Sequence, residues 1–243
     1  MLRDVDGPLQ ADSSPATARI DLLGGFDLEI EGGSIRSPVH VQRLLAFLAL
    51  QGRPLRRAYV AGCLWLELSQ ERANGCLRTT LWRMGRLPLP VVQASSTHLM
   101  LDASVAVDAR ELEACSVRVL RGGPPSSGDV ECLIRARELM PDWYDDWVLF
   151  ERERIRQLRL LALEAASEEL IRARRFAEAS MTAHSAVETD PLRESACRLL
   201  VRSNIATGNV AEAMHQVGVF SARLRREVLS PSADMQELVR RIA

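Results

Sequence analysis

The period of the apolar positions changes along the chain. From Ile20 to Glu31 it is two: Phe26, Leu28 and Ile30 fall on one side and Asp27, Glu29 and Glu31 on the other before Gly32 and Gly33, which predicts short antiparallel strands with one wet face. From Ser37 onward the period is helical. Val41, Leu44, Leu45, Phe47, Leu48 and Leu50 form a stripe that stops at Gly52-Arg53-Pro54. Ser37 and Pro38 read as its start, the serine capping free amides and the proline occupying the first turn. A second helix is expected from about Arg57 to Leu66, a break at Ser69, and a third from Glu71 to Leu87. After Pro88 and Pro90, Val91–Ala94, a Ser95–His98 turn and Leu99–Leu101 predict a hairpin. Three short helices followed by a hairpin spell a winged helix-turn-helix.

From Asp108 the pattern is helical throughout. Helices are expected at Arg110–Leu120, Val130–Leu139 and about Val148–Arg174. Phe176-Ala-Glu-Ala179 recurs as Val210-Ala-Glu-Ala213, an offset of 34 residues, with Pro191 ending the first copy's helix. That is the tetratricopeptide period, in which antiparallel helix pairs bury their faces by stacking. The fold class expected is mainly α. A disordered tail (1–18, rich in Asp, Ser, Pro and Gly) precedes a small α+β winged helix (19–108) and an all-α tetratricopeptide-like domain (109–243).

The third helix carries two faces. At 100° per residue Ala73, Cys76, Leu77, Thr80, Leu81, Met84 and Leu87 gather on one side, and Arg72, Arg78, Thr79, Trp82, Arg83 and Arg86 on the other. A planar guanidinium takes phosphate oxygens or the O6/N7 edge of guanine in pairs, so an arginine row of this kind suits a DNA groove. A solvated face would explain the arginines but leaves a large indole among them at a cost. Arg78 and Arg83 are the best candidates for base edges. Trp82 fits a sugar or thymine methyl, or a protein neighbour. Arg43, Arg53, Arg56 and Arg57 lie near helix ends, where phosphate contact and plain solvation are equally served. Thr97 and His98 at the hairpin tip could reach the minor groove or phosphates, although a polar turn is the cheaper explanation.

Charge sharpens this picture. The chain of 243 residues has a formal net charge of −1, yet between Arg36 and Arg86 nine arginines face two glutamates, giving +7, while the part from Ala109 onward is balanced. All 31 basic residues are arginine. Without lysine there is no standard P-loop, no pyridoxal Schiff base and no lysine nucleophile. The five cysteines are scattered and unpaired by spacing, which reads as reduced thiols in a cytoplasmic protein. No apolar run has membrane-span length and no signal pattern opens the chain. Asp142-Trp-Tyr-Asp-Asp-Trp147 groups acids and aromatics, but no second cluster completes a metal or glycosidase site. A structural role follows, with Trp143 and Trp147 packed between helices and the acids capping the next one. His184 and His215 stand alone and read as packing or surface residues. No cofactor, metal set or nucleophile–base pair is visible, so the chain is not expected to be an enzyme.

The order of these features resembles a known family. The Gln42-Arg-Leu-Leu-Ala-Phe-Leu-Ala-Leu50 helix, Leu64-Trp65, the Glu71-Arg-Ala…Leu77-Arg…Leu81-Trp-Arg-Met84 helix, Met140-Pro-Asp-Trp-Tyr-Asp-Asp-Trp147 and Leu192-Arg-Glu-Ser-Ala196 look like a small activator of the streptomycete antibiotic regulatory protein (SARP) type. The resemblance covers about Ile20 to Ala243. It implies an OmpR-like winged helix on direct repeats upstream of promoters, two protomers side by side on double-stranded DNA, and a bacterial transcriptional activator domain that meets RNA polymerase and its sigma factor. Antibiotic biosynthesis genes would be the targets. Two features depart from the pattern: Gly85, which within a helix costs roughly 1 kcal/mol relative to alanine, and a hairpin tip without arginine. The competing class is a tetratricopeptide-type scaffold or ligand-sensing protein, whose basic region is only a charged surface.

Overall fold

The computed structural model describes residues 18–240. It divides into two compact units, one holding the described residues through Glu111 together with Arg137–Arg152, the other Leu112–Ala136 together with those from Glu153 on. The expected tail lies outside the described residues except for Ala18, which begins the first strand.

In the first unit β1 (Ala18–Asp21), β2 (Asp27–Ile30) and β3 (Gly33–Ser34) run as an antiparallel meander, with Ile20 opposite Leu28. Leu28 and Ile30 are buried as their alternation requires. Next come α1 (Val39–Gln51), β4 (Leu55–Arg56), α2 (Arg57–Leu64), α3 (Gln70–Met84), β5 (Val92–Ala94), β6 (His98–Leu101) and β7 (Val105–Val107). The expected hairpin is β5 and β6, joined on its other edge by β4. β7 then pairs in parallel with β1, Ala18 against Val105, and completes the first sheet in the order β3-β2-β1-β7. This is a winged helix-turn-helix behind a small sheet.

Two local readings change. Ser37 does not cap α1: Pro38 takes the N-cap position and its carbonyl receives Val41 and Gln42 N–H, while the Ser37 hydroxyl is buried without a partner. At the other end Gly52 adopts φ 63° and its N–H donates to Leu48 O, while the Arg110 guanidinium donates to the Leu48 and Ala49 carbonyls of the last turn.

α4 (Asp108–Leu120) opens with a carboxylate that accepts from Leu22 N and Leu23 N, both at 2.8 Å, and burial pushes the Asp108 pKa up. α5 (Ser127–Arg135) is closed at its start by a capping box between Ser126 and Asp129. Asp129 is held down at about 2, first by the Ser126 hydroxyl and then by Arg118. The helix ends four residues before the expected Leu139, because the next segment pairs with the first sheet: Leu139 bridges Leu23, and Gly24 N donates to Glu138 O. Gly24 is required there, at φ +94° and with the Arg137 Cδ only 2.8 Å from where a Cβ would stand.

α6 (Asp146–Arg172) leads to α7 (Phe176–Thr189), α8 (Glu194–Ala206), α9 (Val210–Arg226) and α10 (Ala233–Arg240). α7 packs on α8 and α8 on α9. The 34-residue offset is real backbone geometry. Arg174 (φ 59°) and Gly208 (φ 80°) turn the chain left-handed, and Arg175 N and Asn209 N each donate 2.9 Å back five residues. Ala179 and Ala213 then enter the core fully buried. Arg174 is a non-glycine residue in a conformation that costs on the order of 1 kcal/mol. Arg174→Gly should therefore raise the unfolding free energy by about 0.5–1 kcal/mol and Gly208→Ala lower it by about as much or more, read from urea denaturation. An unchanged midpoint for Gly208→Ala would remove this explanation of the repeat.

Candidate nucleic-acid interface

α3 sorts its side chains as its period requires. Ala73, Leu77, Thr80, Leu81 and Met84 are buried, Thr80 with its hydroxyl on Cys76 O, while Arg72, Arg78, Thr79, Trp82 and Arg83 are exposed. The helix stops three residues before the expected Leu87. Gly85 is its C-cap rather than an interior residue, so the mid-helix penalty does not arise, and Arg86 and Leu87 N–H close a tight last turn on Arg83 O and Met84 O. Arg86 nonetheless reaches back, with its guanidinium carbon 3.8 Å from the Trp82 ring centre. An indole 58% exposed is thereby partly covered, and one cation of the row is held flat.

The hairpin is fixed beside this helix. Arg57 Nη1 donates to Ser95 O and Arg57 N to Thr97 O, the Ser95 hydroxyl accepts from Thr97 N and His98 N, and Thr97 Oγ1 meets His98 Nδ1 at 2.9 Å. Arg56 and His98 are register partners across β4 and β6. The result is an open cleft of about 640 Å³ lined by Arg56, Arg57, Arg78, Thr97 and His98, with Asn74, Leu77, Ala58 and Ser96 completing it. Five of the residues singled out from sequence thus converge, and Arg56 among them supplies the arginine that the hairpin tip itself lacks. Its place was invisible in sequence because a two-residue strand carries no periodicity.

Arg43 sits elsewhere. Its guanidinium pairs with the Asp145 carboxylate, 102 residues away, and both side chains are about three-quarters covered. Asp145 was expected to cap the next helix through its carboxylate. Instead its backbone carbonyl receives the first amides of α6, Val148 N and Leu149 N. Trp143 and Trp147 do pack, in a ring chain running Phe26–Trp143–Trp147–Phe47–Tyr59 at centroid spacings of 6.3, 6.5, 5.2 and 6.2 Å.

Many guanidiniums of the helical unit face carboxylates: Arg118–Asp129 at 2.6 Å, Arg154–Glu113 at 2.7 Å, Arg193–Glu164 at 2.8 Å, Arg202–Glu168 at 2.9 Å. Among the described residues, Arg72, Arg78, Arg83 and Arg86 have no such partner. Arg83 instead bonds His40 Nε2 at 3.0 Å, a contact that nothing in the sequence signals. No group of three or more His, Cys, Asp or Glu side chains among the described residues could hold a metal ion.

Residues 133–243 match the family model of the bacterial transcriptional activator domain. Among solved structures the chain is similar to EmbR of Mycobacterium tuberculosis, determined in complex with a low-affinity phosphopeptide, with a TM-score of 0.65 and 19% identity over 93% of this chain. The chain spans 65% of that structure's length. No curated protein matches the chain. At 19% identity the likeness to EmbR is one of fold.

Proposed function

We propose that this protein is a sequence-specific DNA-binding transcriptional activator whose α3 enters the major groove with its arginine row against the duplex. The observation that carries this reading is that row: exposed guanidiniums gathered on one face of α3 around an exposed indole, without carboxylate partners among the described residues. Arg78 and Arg83 read base edges. Arg72, Thr79, Trp82 and Arg86 flank them, and the cleft of Arg56, Arg57, Thr97 and His98 holds backbone phosphates. Arg43 supports the winged helix through Asp145 instead of touching DNA.

The SARP-type resemblance supplies the rest of the proposal: direct repeats upstream of a promoter, genes of antibiotic biosynthesis, and RNA polymerase with its sigma factor as the partner of the helical domain. Direct repeats require a head-to-tail contact, so two protomers assemble side by side on DNA without two-fold symmetry. No described helix is long and apolar enough to cross a membrane, which fits a protein working on DNA in the cytoplasm.

Filter retention of genomic fragments tests the class of function. An activator retains discrete promoter fragments carrying a direct repeat, and a tetratricopeptide-type scaffold retains none. The retained fragment should also dissociate steeply with salt, log K falling by about 0.9 per log unit of salt for each phosphate engaged. Arg57→Ala should reduce that slope by about one unit. A flat salt dependence would point to another partner.

A further inference from the structure

Arg83 differs from the other arginines of α3 in having a hydrogen-bonded partner, His40 in the first turn of α1. A guanidinium only donates, so His40 Nε2 must accept, which makes the ring neutral with its proton on Nδ1. The surroundings favour that form: burial, and then the charge of Arg83, push the His40 pKa below its usual value. α1 packs directly on α3, so the ring is carried by the same rigid pair of helices that presents the arginine row. Only Nη1 of Arg83 is engaged. The opposite edge, Nη2 and Nε, has no partner among the described residues and offers two parallel N–H groups, the arrangement that matches guanine O6 and N7. Arg78 has no such tether.

We propose that His40 is a positioning residue for base recognition, holding the Arg83 guanidinium by Nη1 so that its Nη2–Nε edge stays presented to a guanine in the major groove. The inference rests on the DNA-recognition reading above. A long arginine side chain loses rotamer freedom when it docks, and a guanidinium ordered beforehand loses less. The benefit is confined to DNA that contains the guanine, because a phosphate tolerates many arginine rotamers and a base edge very few.

The test uses the full chain, with fluorescence anisotropy on a retained direct-repeat duplex and on a scrambled duplex of equal length. His40→Ala should weaken repeat binding about three- to tenfold, the equivalent of one ordered side chain, and leave scrambled binding unchanged. His40→Gln should restore it, since the glutamine amide reaches the Nε2 position and its oxygen accepts. In an Arg83→Ala background His40→Ala should change nothing further. Additive losses, equal losses on both duplexes, or no rescue by glutamine would each overturn the His40 assignment while leaving DNA recognition standing. A wild-type chain that bound both duplexes alike would overturn both.

Discussion

Arg83→Ala and Arg78→Ala are each expected to weaken binding to the direct repeat by about 1–3 kcal/mol, the discrimination that one bidentate arginine–guanine pair supplies. The loss should fall on the repeat and not on scrambled DNA, because a surface arginine that only neutralises phosphate contributes equally to every sequence. Both side chains are exposed and neither is in an ion pair among the described residues, so truncation leaves no buried charge behind and the fold should stay intact. Gel shifts on folded variants read the effect. Unchanged affinity for either variant would strike that residue from base recognition, and a uniform loss on both sequences would move it to the backbone.

Trp147→Ala is expected to cost about 3 kcal/mol of stability in urea denaturation. The indole meets the Phe47 ring edge-on at 5.2 Å, and Phe47, on α1, is only 2% exposed, so truncation opens a cavity against the core of the winged-helix unit. Tyr144 and Phe150, in the same returning segment, are 78% and 74% exposed. Replacing either by alanine should shift stability by no more than about 0.5 kcal/mol. Equal losses at all three positions would mean that the segment is held by something other than this ring chain.

Those two expectations draw on different kinds of information. The two faces of α3 were legible in the sequence because helical periodicity is local: Leu77 and Leu81 on one side and Arg78 and Arg83 on the other follow from spacing alone. The hairpin was legible because turn residues bracket short alternating runs. The 34-residue offset was legible because Phe176-Ala-Glu-Ala179 recurs as Val210-Ala-Glu-Ala213, whereas the equivalent turns before them carry unlike residues, Arg174 and Gly208. What could not be read was pairing at a distance. β7 on β1, Leu139 on Leu23 and Arg43 on Asp145 join residues about 85 to 115 positions apart, and no periodicity reports such contacts. This is why the expected boundary near residue 108 misses the return of Arg137–Arg152 to the first unit. The same blindness hid the contact of His40 with Arg83 and that of Arg43 with Asp145. Gly85 shows the opposite lesson, since its low helix propensity was noted in the sequence and its consequence was to end the helix rather than weaken it.

The most direct measurement is guanine N7 methylation interference on the retained direct repeat, since N7 lies in the major groove and a single methyl there blocks a bidentate arginine. Reading by α3 predicts interference at the equivalent guanine of both repeats, and loss of that interference in Arg83→Ala or Arg78→Ala. Full-strength binding to DNA methylated at every guanine of the repeats would contradict it and place the arginine row outside the groove.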